Sequence, residues 1–267
     1  MRDFEGLGTR KAVLGMVHLP PLPGTPFHQD GSFGQIVEVA VGSARALAEG
    51  GADGCLVQTV DRVYHRGEDS DPARTAAMAL VVDAIVRATG EGFQVGVQLM
   101  RNALTASLAV AKVAGGSFIR AGALVGATLT PQGMVEGRPL EVMEYRAKIS
   151  AQRIRVIAEV ESMHFRWFGG DKPVAEVARA AISAGADAVA LADRDEARTL
   201  AMIASVREAV PGVPVILSGY THHGNAARLL AAADGAFVGS CLERGGWGGQ
   251  IDPGLVRAYM DIVRGLE

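Results

Sequence analysis

The segment AISAGADAVAL, residues 181–191, decides the fold. A run of small and apolar residues with helical character reaches a glycine, which can take the left-handed conformation that stops a helix. An alanine and an aspartate follow, and an apolar run then enters a strand at once. Three other segments repeat the pattern: ALAEGGADGCLV (46–57), AKVAGGSFIR (111–120) and LLAAADGAFVGS (229–240). In each, a helix-like run ends in Gly or Ala, then comes a small or acidic residue, then apolar residues. Each is a helix-to-strand corner.

Between the corners lie further strand-like runs, AVLGMVHL (12–19), FQVGVQLM (93–100), RVIAEVES (155–162) and VPVILSGY (213–220). Together they make eight strands, with helical patterns between them. In the helix expected over 35–49, Ile36, Val39, Ala40 and Leu47 share a face. Asp71-Pro72 and Asp252-Pro253 each set a capping carboxylate before a proline suited to a first helical turn. Eight strands alternating with helices imply a parallel sheet, and eight is the number that closes a (β/α)8 TIM barrel. An open doubly wound sheet is the alternative. A chain of 267 residues has the length of one such barrel domain, with residues 1–10 as an N-terminal extension.

Composition narrows the partners. Hydrophobic residues make up 49% of the chain, enough for a large core without metal or disulfide support. The net charge is −3 and the 26 Lys and Arg residues are scattered, so nothing suits a nucleic-acid backbone. Cys55 and Cys241 lie far apart inside apolar runs, as two reduced thiols would in the cytoplasm. No apolar run approaches a membrane span, and MRDFEGLGTRK lacks the apolar stretch of a signal peptide. The longest uncharged stretch, 121–135, holds three glycines and reads as a loop.

In a closed parallel barrel the C-terminal strand ends face the active site. Those ends are His18 on the first strand, Gln58 on the second, Gln98 followed by Arg101 and Asn102 on the third, and Arg120 on the fourth. The fifth offers Glu159 and Glu161 with His164 just beyond, the sixth Asp193, the seventh Ser218-Gly219 and the eighth Gly239-Ser240. A single polar strand end is unremarkable, but a full ring of acids, amides, histidine and arginine suits an enzyme with a small polar substrate. Ser218-Gly219 and Gly239-Ser240 stand where many barrels cradle a phosphate, because glycine lets backbone N–H groups approach an anion. Glu159 and Glu161, two apart, are expected to point together into the barrel top and to share a proton; a salt bridge from Glu159 to Arg120 is the structural alternative. Glu159, His164, Asp193 and His18 could hold a divalent metal, though no H-E-x-x-H spacing supports one, and no cofactor is expected. His222 and His223 read as loop or capping residues. ERGGWGGQID (243–252) reads as either a flap or a subunit contact, the latter implying a homo-oligomer.

GMVHLPPLPGTP (15–26), the stretch from Phe118 to Arg146, SGYTHHGN (218–225) and ADGAFVGSCLERGG (233–246) together resemble the BtpA/SgcQ family. The resemblance implies a TIM barrel similar to phosphate-binding ones. It also implies one of two roles: photosystem I biogenesis, as for the namesake, or an enzyme of sugar or nucleoside metabolism. The chain departs from the family pattern at Gln58-Thr59 for Glu-Asn, at Ala103 for the Asp of Arg-Asn-Asp, and at Ala192-Asp193 for Thr-Gly. It also has Glu159 for Asp and Met163 for the lysine before His164. The expected function is therefore an acid–base enzyme for a phosphorylated sugar-like or nucleotide-like molecule, isomerase, lyase or glycosidic in type. In that reading His18, Arg120, Glu159 and His164 are catalytic. The alternative is a non-catalytic scaffold or assembly factor on the same barrel.

Overall fold

The chain was analysed as a computed structural model that describes Phe4, Leu7 and residues 10–64 and 70–266. Apart from Phe4, Leu7 and Arg10, the expected N-terminal extension lies outside the described residues.

The corners form as their composition requires. Gly51, Gly115 and Gly185 take φ of +89°, +81° and +103°, ending their helices with a turn that a side chain would resist. The aspartates of three corners then do a second job. Asp53, Asp187 and Asp234 accept the backbone N–H of Val13, Val156 and Val215, each at 2.8 Å. Each also meets arginine: Asp53 meets Arg10 at 2.7 Å, Asp187 meets Arg146 at 2.9 Å and Arg155 at 3.1 Å, and Asp234 meets Arg207 at 2.9 Å. The residue that starts one strand thus holds the foot of its neighbour.

The elements follow in the order β1 (Ala12–Leu19), α1 (Phe33–Glu49), β2 (Gly54–Thr59), α2 (Pro72–Ala88), β3 (Gln94–Gln98), α3 (Leu104–Ala114) and β4 (Phe118–Ala121). Then come β5 (Ala127–Thr130), β6 (Gly133–Glu136), α4 (Pro139–Lys148), β7 (Arg155–Glu161), α5 (Val174–Ser183) and β8 (Ala188–Leu191). The chain ends with α6 (Glu196–Ala209), β9 (Val215–Leu217), α7 (Ala226–Ala232), β10 (Gly235–Val238) and α8 (Pro253–Arg264). The eight expected strands close a parallel barrel in the order β1-β10-β9-β8-β7-β4-β3-β2. The open sheet is thereby excluded. Asp71 and Asp252 cap α2 and α8 as expected, each accepting two backbone N–H groups ahead of a first-turn proline.

Two details differ from the sequence reading. The uncharged stretch is not all loop, because β5 and β6 form an antiparallel hairpin outside the barrel. Its turn is Thr130-Pro131-Gln132-Gly133, with Gly133 at φ +113° and the Thr130 hydroxyl donating to the Gly133 carbonyl at 2.7 Å. On α1 the buried stripe is Ile36, Ala40, Ala44 and Leu47, whereas Val39 is 54% exposed. The stripe advances mainly by four-residue steps, which leaves Val39 on its flank.

Strand alternation splits the core in two. Outward residues such as Val13, Val17, Cys55, Val57, Val95 and Val97 pack under the helices. Inward residues Leu14, Met16, Leu56, Phe118, Ile157, Ala190, Ile216 and Phe237 fill the barrel, and Phe4 joins them with its ring 5.6 Å from that of Phe118. Gly96 makes room for Phe118, since a Cβ there would fall 2.1 Å from its ring.

The corner aspartates are expected to matter most for stability. Asp187→Ala removes a charge-assisted bond to a strand N–H and strips two arginines of their partner. It should lower unfolding free energy by about 2–3 kcal/mol in urea titrations.

Candidate functional site at the barrel mouth

On six of the eight strands the inward face turns polar two residues beyond its last apolar or glycine position. Met16 gives way to His18, Leu56 to Gln58, Gly96 to Gln98, Phe118 to Arg120, Ile157 to Glu159, and Ile216 to Ser218. Period-two geometry therefore stacks one polar layer on the apolar fill of the barrel.

Three of these side chains lock together. The Arg120 Nε donates to Glu159 Oε1 at 2.5 Å, its Nη2 donates to the Ser218 hydroxyl at 3.1 Å, and that hydroxyl donates to Glu159 Oε1 at 2.5 Å. All three are buried, and the guanidinium lies 5.0 Å over the Phe237 ring. Of the two expectations for Glu159, the ion pair with Arg120 is the one found. Its other oxygen, Oε2, is buried without a partner, as are the Oε1 atoms of Gln58 and Gln98 and the Nε of Arg101.

Above the layer opens a cavity of about 450 Å³. His18, Gln58, Arg120 and His164 line it, as do Ser218, Gly219, Gly239 and Ser240. The Ser218 hydroxyl is already engaged and its backbone N–H donates to the Leu191 carbonyl at 2.9 Å, so this residue holds Arg120 and leaves the loop's donor to Gly219. Gly219 at φ +104° and Tyr220 at φ +55° bend the following loop back, and Ser240 begins a short 3-10 turn, Ser240–Leu242.

Both histidines are held neutral. Burial, then the charge of Arg120, lowers the His18 pKa to about 4. Burial, then Arg120, Arg101 and His18, lowers His164 to about 3. Arg101 Nη1 lies 3.4 Å from His164 Nδ1, and since a guanidinium can only donate, the ring proton of His164 sits on Nε2. His18 Nδ1 stands 3.9 Å from the buried Glu243 carboxylate, whose pKa burial raises. Trp247 lies over the His18 ring with centres 4.3 Å apart.

Other expected site residues are placed elsewhere. The β7–β8 register shifts between Glu159 and Glu161, and this bulge separates the two carboxylates instead of letting them share a proton. Glu161 meets Arg198 at 3.1 Å, and Asp193 meets Arg198 at 3.5 Å and Arg166 at 3.8 Å. These groups form an ionic cluster beside α5 and α6, away from the main cavity. Asn102 spends its amide on the backbone of Ala123, accepting from its N–H at 2.8 Å and donating to its carbonyl at 2.9 Å. Arg101 reaches the site through His164 and carries the Tyr64 ring at 5.5 Å. His222 does line the cavity while accepting from Gly224 N–H, and His223 faces the Leu255 carbonyl. His18, Glu159, His164 and Asp193 do not gather, and among the described residues no three His, Cys, Asp or Glu side chains are grouped to hold a metal ion. Glu243 and Trp247 were missed as site residues. The glycine-rich run around Trp247 was the available signal, but nothing local says which way it folds.

A family model for the BtpA family matches residues 9–265. The chain belongs to the BtpA family. It is 31% identical to the photosystem I biogenesis protein BtpA of Synechocystis over 99% of this chain and 92% of that one. It is 33% identical to an uncharacterised protein of Thermococcus kodakarensis over 91% of this chain and 90% of that one. Among solved structures, tryptophan synthase of Mycobacterium tuberculosis matches with TM-score 0.61 and 19% identity, covering 96% of this chain and 94% of that one. Thiamine phosphate pyrophosphorylase from Pyrococcus furiosus matches with TM-score 0.59 and 18% identity, covering 95% and 96%. These two likenesses concern the fold. Among the described residues of this BtpA-family chain, no helix is long and apolar enough to cross a membrane.

The depressed histidines predict an acid limb in stability. Unfolded, both take protons below their ordinary value of 6.5; folded, they stay neutral to about 4 and about 3. The unfolded chain therefore binds more protons in that window, and stability falls as pH drops through it, by up to about 1.4 kcal/mol per pH unit for each ring. The double variant His18→Asn, His164→Gln should flatten this limb relative to the parent in urea titrations across the same window.

Proposed function

We propose that this barrel is an enzyme that acts on a small phosphorylated molecule, sugar-like or nucleotide-like, by acid–base chemistry of the isomerase, lyase or glycosidic-bond kind. The observation that carries the reading is the mouth cavity, which joins two neutral histidines, Arg120 and a pair of glycine-bearing loops, Arg101 backing His164. The loops after β9 and β10 would receive the phosphate on the backbone N–H groups of Gly219, Gly239 and Ser240. Arg120, fixed by Glu159 and Ser218, would face the negative charge that develops in the substrate, with Arg101 behind His164. Glu159 then serves to orient Arg120, and proton transfer falls to His164 and His18.

Burial is the main cause that depresses both rings, and an arriving phosphate would offset the second, the positive charge of Arg120 and, for His164, of Arg101. Binding would thus move the histidines back toward the range useful to a general base. Gln58 and Gln98, with buried acceptors to spare, would read polar groups of the substrate. Glu161, Asp193 and Asn102 take supporting places outside the cavity. The reading needs no cofactor. One neighbour in fold is by its name a thiamine phosphate enzyme, which agrees with a phosphorylated ligand. Cys55 is buried and burial pushes Cys241 up to about 11, as suits inert thiols, and a cytoplasmic location belongs to the same proposal.

A second reading, a non-catalytic assembly factor, is favoured by one observation. A groove of about 530 Å³ beside the mouth exposes Phe27 and Val39 along with Pro20 and Pro21. The relative from Synechocystis is named for photosystem I biogenesis, which is the kind of role a docking groove would serve.

Thermal denaturation with a panel of sugar phosphates and nucleotides separates the two. A ligand that binds the native state alone raises the melting temperature, and at about 100 times its Kd it adds about 2.7 kcal/mol. Ser240→Asp, which sets a carboxylate at the phosphate loops, should abolish the shift while leaving the unliganded transition in place. No shift with any phosphorylated compound would overturn the enzyme reading in favour of the scaffold.

A further inference from the structure

We propose that Trp247 is the ring-binding wall of the mouth cavity, and that the phosphorylated ligand carries a nucleobase rather than being a bare sugar phosphate. The inference rests on the function proposed above and narrows its substrate class.

Trp247 is 65% exposed, an unusual setting for an indole, yet its arm is firmly built. Glu243 is buried and accepts the Gly248 N–H at 2.7 Å, Glu243 and Ile251 pair as an antiparallel bridge, and Arg244 meets Asp252 at 2.5 Å. Gly245, Gly246 and Gly248 take φ of +76°, +84° and +84°, which other residues rarely adopt. The arm therefore commits a buried carboxylate and three left-handed glycines to holding one apolar ring at the mouth. His18 supports the indole from one side at 4.3 Å, and most of the ring remains open.

The chemistry around it suits a flat ring better than a polyol. Met163, 56% exposed, shares the cavity wall with Trp247 and gives a sugar's hydroxyls no strong hydrogen-bond partner, while the polar groups of the wall, among them Arg120 and Ser240, are left to the phosphate and the base edge. A base stacks on such a surface through its face, whatever its edge pattern. Gln58, also on the wall, keeps its carbonyl oxygen buried and unpartnered, an acceptor suited to a base N–H or amino group. The cavity, about 450 Å³, falls within the usual range for small-molecule sites.

The test is calorimetric titration of the full chain with AMP, UMP, the same ribose phosphate without its base, and inorganic phosphate. AMP or UMP should bind about 5- to 100-fold more tightly than the base-free compound, the range expected for one stacked base. Trp247→Ala should erase that advantage while changing affinity for the base-free compound less than about two-fold, and Trp247→Phe should restore most of it. Because the side chain is exposed, both variants should melt with the parent. Equal binding with and without the base, or nucleotide affinity unchanged in Trp247→Ala, would overturn this inference and leave the phosphorylated-ligand reading standing. Binding by none of the four would overturn the inference together with the reading on which it rests.

Discussion

The barrel depends on an exchange made at its corners. An aspartate at the foot of one strand accepts the first free N–H of the strand before it, and an arginine neutralises the acid. The contact occurs at β1–β2, β7–β8 and β9–β10, through Asp53, Asp187 and Asp234. Closing a parallel barrel needs each strand set against the last with a fixed stagger. A side-chain acceptor at a fixed place in three corners fixes that stagger between the two strands it joins. Where the corner holds Ser117, the backbone bond that all four corners share stands without the carboxylate, with Ser117 N–H donating to the Val95 carbonyl as Asp53, Asp187 and Asp234 N–H donate to Val13, Val156 and Val215.

With the register set, period-two alternation does the rest. On six of the eight strands the last inward residue before the rim is followed, two positions on, by a polar side chain. This layer is costly, because taking Arg120 and Glu159 out of water loses several kcal/mol for each ion. Their mutual bond, the Ser218 hydroxyl and the Phe237 face offset part of that loss. A barrel selected for stability alone would fill the layer with aliphatic side chains. A buried pair with unpartnered acceptors around it is what a site awaiting a ligand looks like.

Much of this was legible in the sequence, for definite reasons. The strands, the closed barrel and two helix caps followed from local signals: glycine corners, alternation and Asp-Pro pairs. The members of the polar layer followed from one further rule, that strand ends face the mouth. The misreadings mark where local rules stop. Glu161 keeps the spacing of an inward residue, but a bulge after Glu159 turns it toward Arg198, and no composition signal announces a bulge. The β5–β6 hairpin was hidden because each strand has four residues and its turn chemistry sat inside a stretch read as loop. Glu243 and Trp247 are distant in sequence from His18, so only the folded chain brings them to it.

The position that departs most from the family pattern is Met163, where the resemblance implies a lysine. It lies on the cavity wall, 56% exposed, next to His164. A third cation there would stand with Arg101 and Arg120 around two rings already stripped of their protons by burial and positive charge. It would depress His164 further and leave the lysine itself as the mobile proton carrier. Methionine places no charge there, so under the proposed function the histidines would be the proton carriers nearest the arginines. In that reading the substitution would leave the site its chemistry and put the proton-handling role on the imidazoles beneath the rim.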